Sequence, residues 1–84
     1  TLARGLVAGR AHWIAAESPR VGDEYLLKIR SRFEPTPVFL QHAADDSFTV
    51  ACAAGLAAVT PGQAAVLYAG DRVLGGGWIE NGIA

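Results

Sequence analysis

The chain has no methionine and a single cysteine among its 84 residues. The lone thiol, Cys52, excludes an internal disulfide and a cysteine-rich zinc site, and it suits a reducing compartment such as the cytoplasm. The lack of methionine at position 1 leads to the expectation that residues 1–84 form one domain excised from a longer chain. Charge is also scarce. With 7 basic and 8 acidic side chains the formal net charge is −1, so no global field draws a polyanion, and any nucleic-acid contact must come from a local patch. A domain of this length buries only roughly 60 to 65% of the surface its unfolded chain exposes, which leaves no space for a large internal active site.

Nor is the hydrophobicity organised for a membrane. Ser47 to Gly70 carries no charge, and an uninterrupted apolar helix of that length would span a bilayer. Pro61-Gly62 cuts the run, however, and Gln63 follows. No membrane partner is expected. The chain also lacks internal repeats, low-complexity tracts and any long amphipathic helix.

What remains is a succession of short alternating segments. From Glu24 to Phe33, Tyr25, Leu27, Ile29 and Phe33 share one face and Leu26, Lys28, Arg30 and Arg32 the other, as in a half-buried strand with a basic outer row. Pro35 and Pro37 are expected to end its pairing, because neither can donate to a ladder, and Val38 to Ala43 begins the next apolar run. Ala44-Asp45-Asp46-Ser47 reads as a tight turn. Phe48, Val50 and Cys52 then alternate with Thr49 and Ala51, and Ala53 to Thr60 reads as a connection with at most one helical turn.

Thr60-Pro61-Gly62-Gln63 has Pro where a type II turn needs φ near −65° and Gly where it needs positive φ. Gln63 is thereby placed at the start of a strand. Gln63 to Ala69 and Arg72 to Ile79 are expected to pair across a II′ turn at Gly70-Asp71. Near the N-terminus, Leu6 to Ile14 alternates Val7, Gly9, Ala11 and Trp13 against Leu6, Ala8, Arg10, His12 and Ile14, and Pro19 to Asp23 reads as a loop. The sum is an all-β domain of about six strands, most simply a small closed or nearly closed antiparallel barrel.

Few residues are arranged for chemistry. Gly75-Gly76-Gly77 is followed by Trp78-Ile79 rather than by a helix start with Lys-Ser or Lys-Thr, so it reads as a strand bent or closely approached by another backbone, not as a phosphate loop. Cys52 is not brought near His12 or His42 by any spacing and reads as a small core residue; no metal site is expected. The acids are scattered, and no pair stands out as catalytic. Trp13 and Trp78 read as core or barrel-rim packing, with base stacking as the functional alternative.

Two features point toward an RNA. Lys28, Arg30 and Arg32, two residues apart, project from one strand face at roughly 6.5 to 7 Å, comparable to successive phosphates of a single strand, although a solvated outer face is the usual fate of such a row. Gln63, fixed by a rigid turn, carries an amide that both donates and accepts; it either reads a base edge or caps its own turn.

The combination Thr60-Pro61-Gly62-Gln63, Ala65-Val66-Leu67-Tyr68, Gly70-Asp71 and Val73-Leu74-Gly75-Gly76-Gly77 with Ile79 resembles the end of the tRNA-specific 2-thiouridylases. Upstream, Lys28-Ile29-Arg30-Ser31-Arg32 is similar to that family's Arg-Tyr-Arg strand, Pro37 falls near its following proline, and Trp13-Ile14 resembles a Trp-Ile pair that opens the domain. The resemblance covers nearly the whole chain. It implies a translation-factor-like C-terminal barrel, carried behind an ATP-pyrophosphatase-type domain and a small central domain of the same chain.

The same resemblance implies an enzyme that activates the C2 oxygen of the wobble uridine with ATP and replaces it with sulfur delivered as a cysteine persulfide, with a sulfur-relay protein as partner. The ATP loop and working cysteines would lie in the other domains, leaving this one without cofactor or catalytic residue. Its implied share is to bind the anticodon arm of tRNA through Arg30, Ser31 and Gln63, with Lys28 and Arg32 alongside. Ser31 stands where the family has Tyr, losing an aromatic face, and Ala54-Gly55 stands where it commonly has an acid and a proline. A structural barrel that packs on neighbouring domains or a protein partner without touching RNA is the alternative; a self-contained small enzyme fits least.

Overall fold

Alternation along each segment becomes an inside and an outside in the computed structural model, which describes residues 2–30 and 34–84. The strands are β1 (Leu2–Trp13), β2 (Glu24–Ile29), β3 (Thr36–Ala43), β4 (Ser47–Ala57), β5 (Ala64–Ala69) and β6 (Arg72–Ile83). They close a barrel in the order β1-β4-β3-β2-β5-β6, with every neighbouring pair antiparallel. The expected all-β barrel is therefore what the chain forms.

Closure leaves no free sheet edge among the described strands and surrounds a central core. Leu27, Ile29, Val38, Leu40, Phe48 and Val50 all point into it, and no polar or charged side chain among the described residues is buried. Phe48 is its largest member, and truncating such a ring to Ala costs about 3 to 5 kcal/mol. At one end Trp13 packs on Phe48, ring centroids 5.6 Å apart and planes tilted by 52°. Its indole N–H donates to the Ala44 carbonyl at 2.7 Å. Trp13 is the rim residue expected.

Several strands run further than their alternation indicated, because bulges break the pattern without ending the strand. Strand β4 continues to Ala57 with no helical turn: Ala3 pairs with Leu56 and Gly5 with Ala51, so Cys52 to Gly55 bulge out of register. Strand β6 continues past Ile79 to Ile83, and β1 begins at Leu2 rather than Leu6. In β1 the register shifts between Gly9 and His12, and Arg10 adopts φ +48°. The inward set passes there from Leu6 and Ala8 to Ala11, which strict alternation would have put outside.

Pro37 does not end pairing; it lies within β3, opposite Leu26. The Leu40 N–H points toward the Asp23 carbonyl on the β2 side, so Pro37, three residues earlier, turns its nitrogen toward β4. The ladder with β4 begins only at Phe39, and the missing N–H leaves no rung unfilled.

Strand β2 runs from Glu24 to Ile29, and the expected remainder up to Phe33 falls partly on residues that are not described. Its rungs with β3 end at Leu27–Thr36, and on the other side Arg30 donates its N–H to the Ala64 carbonyl at 3.0 Å just where β5 begins. Ser31, Arg32 and Phe33 lie outside the described residues.

Candidate functional site

The turn before β5 has the geometry its residues demand. Gly62 takes φ +93°, and the Gln63 N–H returns to the Thr60 carbonyl at 3.3 Å, closing the type II turn. Strand β6 then clamps it: the Gly62 N–H donates to the Ile79 carbonyl and the Ile79 N–H to the Gln63 carbonyl, both at 2.8 Å. Gln63, partly buried and one residue ahead of β5, is thus held by backbone bonds on both sides.

Three strands meet here. Arg30 is tied to Ala64 from the β2 side, while Trp78 of β6 sits directly opposite Ala64. Because Ile79 points into the core, its neighbour Trp78 points out, and 41% of its surface is exposed. Arg30, Gly62, Gln63, Ala64 and Trp78 line an open cleft of about 420 Å³ on the outer barrel wall. From the β1 side, the Arg10 guanidinium carbon stands 5.6 Å from the centre of the Trp78 ring, within cation–π range.

The cleft therefore offers a permanent cation, an amide that donates and accepts, and an aromatic face. That set suits recognition of an unstacked, phosphate-bearing base. Of the residues expected to contact RNA, the structure brings Arg30 and Gln63 together. Lys28, paired with Val66 on the same neighbouring strand β5, lines a second cleft with Tyr68 and Asp71. Ser31 and Arg32 fall outside the described residues.

Trp78 corrects the expectation of core or rim packing. The signal was present in β6, where a residue next to inward Ile79 must face outward. Arg10 was missed for the opposite reason: alternation grouped it with Leu6 and Ala8, which are buried, and only the bulge carries it outside. A charge in an inward row is itself a sign of such a bulge.

The remaining motifs are architectural. A Cβ on Gly75 would stand 2.5 Å from the His12 carbonyl oxygen and 2.6 Å from the Trp13 ring, and one on Gly77 would stand 2.8 Å from the Gly9 carbonyl oxygen. Gly75 and Gly77 let β6 lie against β1, while Gly76 faces Ala65 and Val66 of β5. Cys52 is buried, its Sγ 3.5 Å from the Pro37 carbonyl oxygen and 3.6 Å from that of Gly55. His12 and His42 are exposed, and among the described residues no group of His, Cys, Asp or Glu is placed to hold a metal ion.

A model of the aminomethyltransferase β-barrel domain matches residues 3–79. The chain belongs to that family. It is similar to the tRNA-specific 2-thiouridylase MnmA of Geotalea uraniireducens (strain Rf4), with 44% identity over 79 residues that make up 94% of this chain and 21% of the relative. Against the tRNA-specific 2-thiouridylase MnmA of Shewanella piezotolerans (strain WP3 / JCM 13877), identity is 39% with the same coverage. The MnmA of Idiomarina loihiensis gives 39% over 80 residues, 95% of this chain and 22% of that one. The chain thus spans about a fifth of the length of the curated relatives it matches. The family resemblance carried by the Thr-Pro-Gly-Gln turn and the triple glycine is borne out.

Proposed function

We propose that this barrel is the tRNA-binding domain of an ATP-dependent tRNA 2-thiouridylase, holding the anticodon arm while the wobble uridine is thiolated elsewhere in the same enzyme. The observation that carries this reading is the convergence of Arg30 and Gln63, far apart in sequence, on one cleft of the outer wall. The similarity to proteins named tRNA-specific 2-thiouridylases supports it. In this reading the barrel contributes binding energy and position only. ATP, the catalytic and central domains and a sulfur-relay protein supply activation and sulfur, in the cytoplasm where tRNA is processed. Among the described residues no helix is long and apolar enough to cross a membrane.

Filter binding of tRNA to the intact enzyme tests the assignment. Arg30→Ala and Gln63→Ala are each expected to weaken binding; unchanged affinity in both removes it.

A second reading, a barrel that packs on a neighbouring domain without touching RNA, is favoured by one feature. Leu2, Leu56, Val59 and Ile83 line an apolar cleft at one side of the barrel, with Leu2 54% exposed. Hydrogen exchange of the intact enzyme with and without tRNA separates the two. Protection by tRNA around Arg30 and Gln63 supports RNA contact, and its confinement to the Leu2–Ile83 side supports packing alone.

A further inference from the structure

Trp78 has small residues beside it on the outer wall. Its partners across the two adjacent ladders are Gly9 on β1 and Ala64 on β5, and Gly77 precedes it. Gly9 and Gly77 bring no side chain and Ala64 only a methyl, and 41% of the Trp78 surface stays exposed beside the cleft that Arg30 and Gln63 share, with the Glu80 side chain lying over Gly9. Arg10 reaches the ring from the β1 side, whereas the cleft borders it on the β5 side. The cation therefore meets the ring without entering the cleft, whose lining includes Trp78 and not Arg10.

The conformation of Arg10 argues in the same direction. At φ +48° it occupies a left-handed position that disfavours any residue with a Cβ and that Gly would fill at less strain. The bulge at this position is what frees the guanidinium from the inward row of Leu6 and Ala8 and sets it on Trp78. A charged, long side chain at a strained position is the pattern of a residue whose reach is used.

We infer that Trp78 is a stacking platform for one unpaired nucleobase of the bound RNA, braced by Arg10, with Arg30 beside it for an adjoining phosphate and Gln63 for the base edge. The inference rests on the tRNA-binding reading above and adds to it a base-contacting residue. Stacking on an indole tolerates any base, because every base has a π-face, so Trp78 supplies affinity and Gln63 the discrimination. Glu80, the acid that follows on the same strand, lies over Gly9 and is not part of the cleft wall, so a phosphate approaching Arg30 does not have to pass it.

The test uses the full-length enzyme with a tRNA transcript and with the same transcript made abasic at the unpaired anticodon-loop positions. Trp78→Leu is expected to weaken binding of the intact transcript about tenfold, Trp78→Phe distinctly less, and Arg10→Ala by a smaller factor. The abasic transcript is expected to bind wild type as weakly as the intact one binds Trp78→Leu. If the abasic transcript binds wild type as tightly as the intact one, the stacking role is overturned whatever the variants do. If Trp78→Leu is neutral while Arg30→Ala and Gln63→Ala weaken binding, Trp78 falls and the tRNA-binding reading stands. If all of these variants bind as wild type, both fall.

Discussion

Arg30 donates its backbone N–H to the carbonyl oxygen of Ala64 at 3.0 Å, one step beyond the last paired residue of β2 and on the first residue of β5. This bond is where two separate sequence motifs become one place. The basic segment reaches Arg30 just as pairing runs out, and the Pro-Gly turn delivers Gln63 immediately before the same Ala64. The backbone positions that carry a cation and an amide are thus set by main-chain geometry, which would keep the ordering cost low in the proposed RNA complex.

Gly62→Ala tests that main-chain presentation. A Cβ at Gly62 meets nothing within 4 Å, so the substitution is felt only through φ +93°. It is expected to destabilise the domain by about 1 kcal/mol, and to weaken tRNA binding because the turn that aims Gln63 is strained. Thermal denaturation followed by circular dichroism, paired with filter binding, reads both. Wild-type stability and affinity together would show that the turn does not depend on Gly.

Gly75→Ala and Gly77→Ala act by collision instead. Each added methyl would press on β1 backbone, at His12 for one and Gly9 for the other, and neither can move without opening the β1–β6 ladder. A loss of about 1 to 3 kcal/mol is expected for each, which in a domain of this size lowers the melting temperature by about 4 °C or more. Gly76→Ala, whose nearest atom is the Ala65 carbonyl oxygen at 3.0 Å, is expected to be milder. A melting curve that ranks Gly76→Ala as the most damaging would contradict the close-approach account.

Residues whose role follows from local sterics were legible in the sequence. The Pro61-Gly62 turn, the Gly70-Asp71 hairpin joining Ala69 to Arg72, and the buried Phe48, Val50 and Cys52 all came from short-range rules, and they form as expected. What escaped were consequences of closure. Whether Arg10 faces in or out, and where the inward row of β1 resumes at Ala11, depend on a register shift against β6. Neither can be read from period two, because a bulge inverts the phase downstream of it. The candidate site is accordingly visible in part in one dimension: Arg30 and Gln63 from motif resemblance, Trp78 from its place beside inward Ile79, and Arg10 only from the folded barrel.

Cys52 provides a check on the proposal that the thiolation chemistry lies outside this barrel. Its Sγ is buried between the Pro37 and Gly55 carbonyls, so a thiol reagent reaches it only when the barrel opens. In the folded 84-residue chain a colorimetric disulfide reagent is expected to react slowly, and denaturant is expected to release one fast equivalent. Cys52→Ala in the intact enzyme is expected to leave thiouridine formation at the wild-type level. A loss of activity with unchanged tRNA binding would instead place Cys52 on the sulfur path.

The salt dependence of binding tests how many phosphates this wall engages. A net charge of −1 provides no diffuse attraction, so any electrostatic affinity from the barrel must come from discrete contacts such as those at Arg30. Each phosphate neutralised by a cation releases counterions and steepens the fall of log K with log salt by roughly 0.7 on a single strand to 0.9 on a duplex. Arg30→Ala is therefore expected to reduce the slope for the intact enzyme by about 0.7 to 0.9. Gln63→Ala, which removes no charge, is expected to lower affinity at every salt concentration and leave the slope unchanged. Trp78→Leu should behave like Gln63→Ala, because stacking releases no counterions. Lys28→Ala, in its separate cleft beside Asp71, should leave both slope and affinity near wild type. Filter binding from about 50 to 200 mM salt, the range over which such contacts change affinity most usefully, distinguishes the three patterns. A slope that falls with Lys28→Ala and not with Arg30→Ala would move the phosphate path from the Gln63 cleft to the Tyr68 side of the barrel.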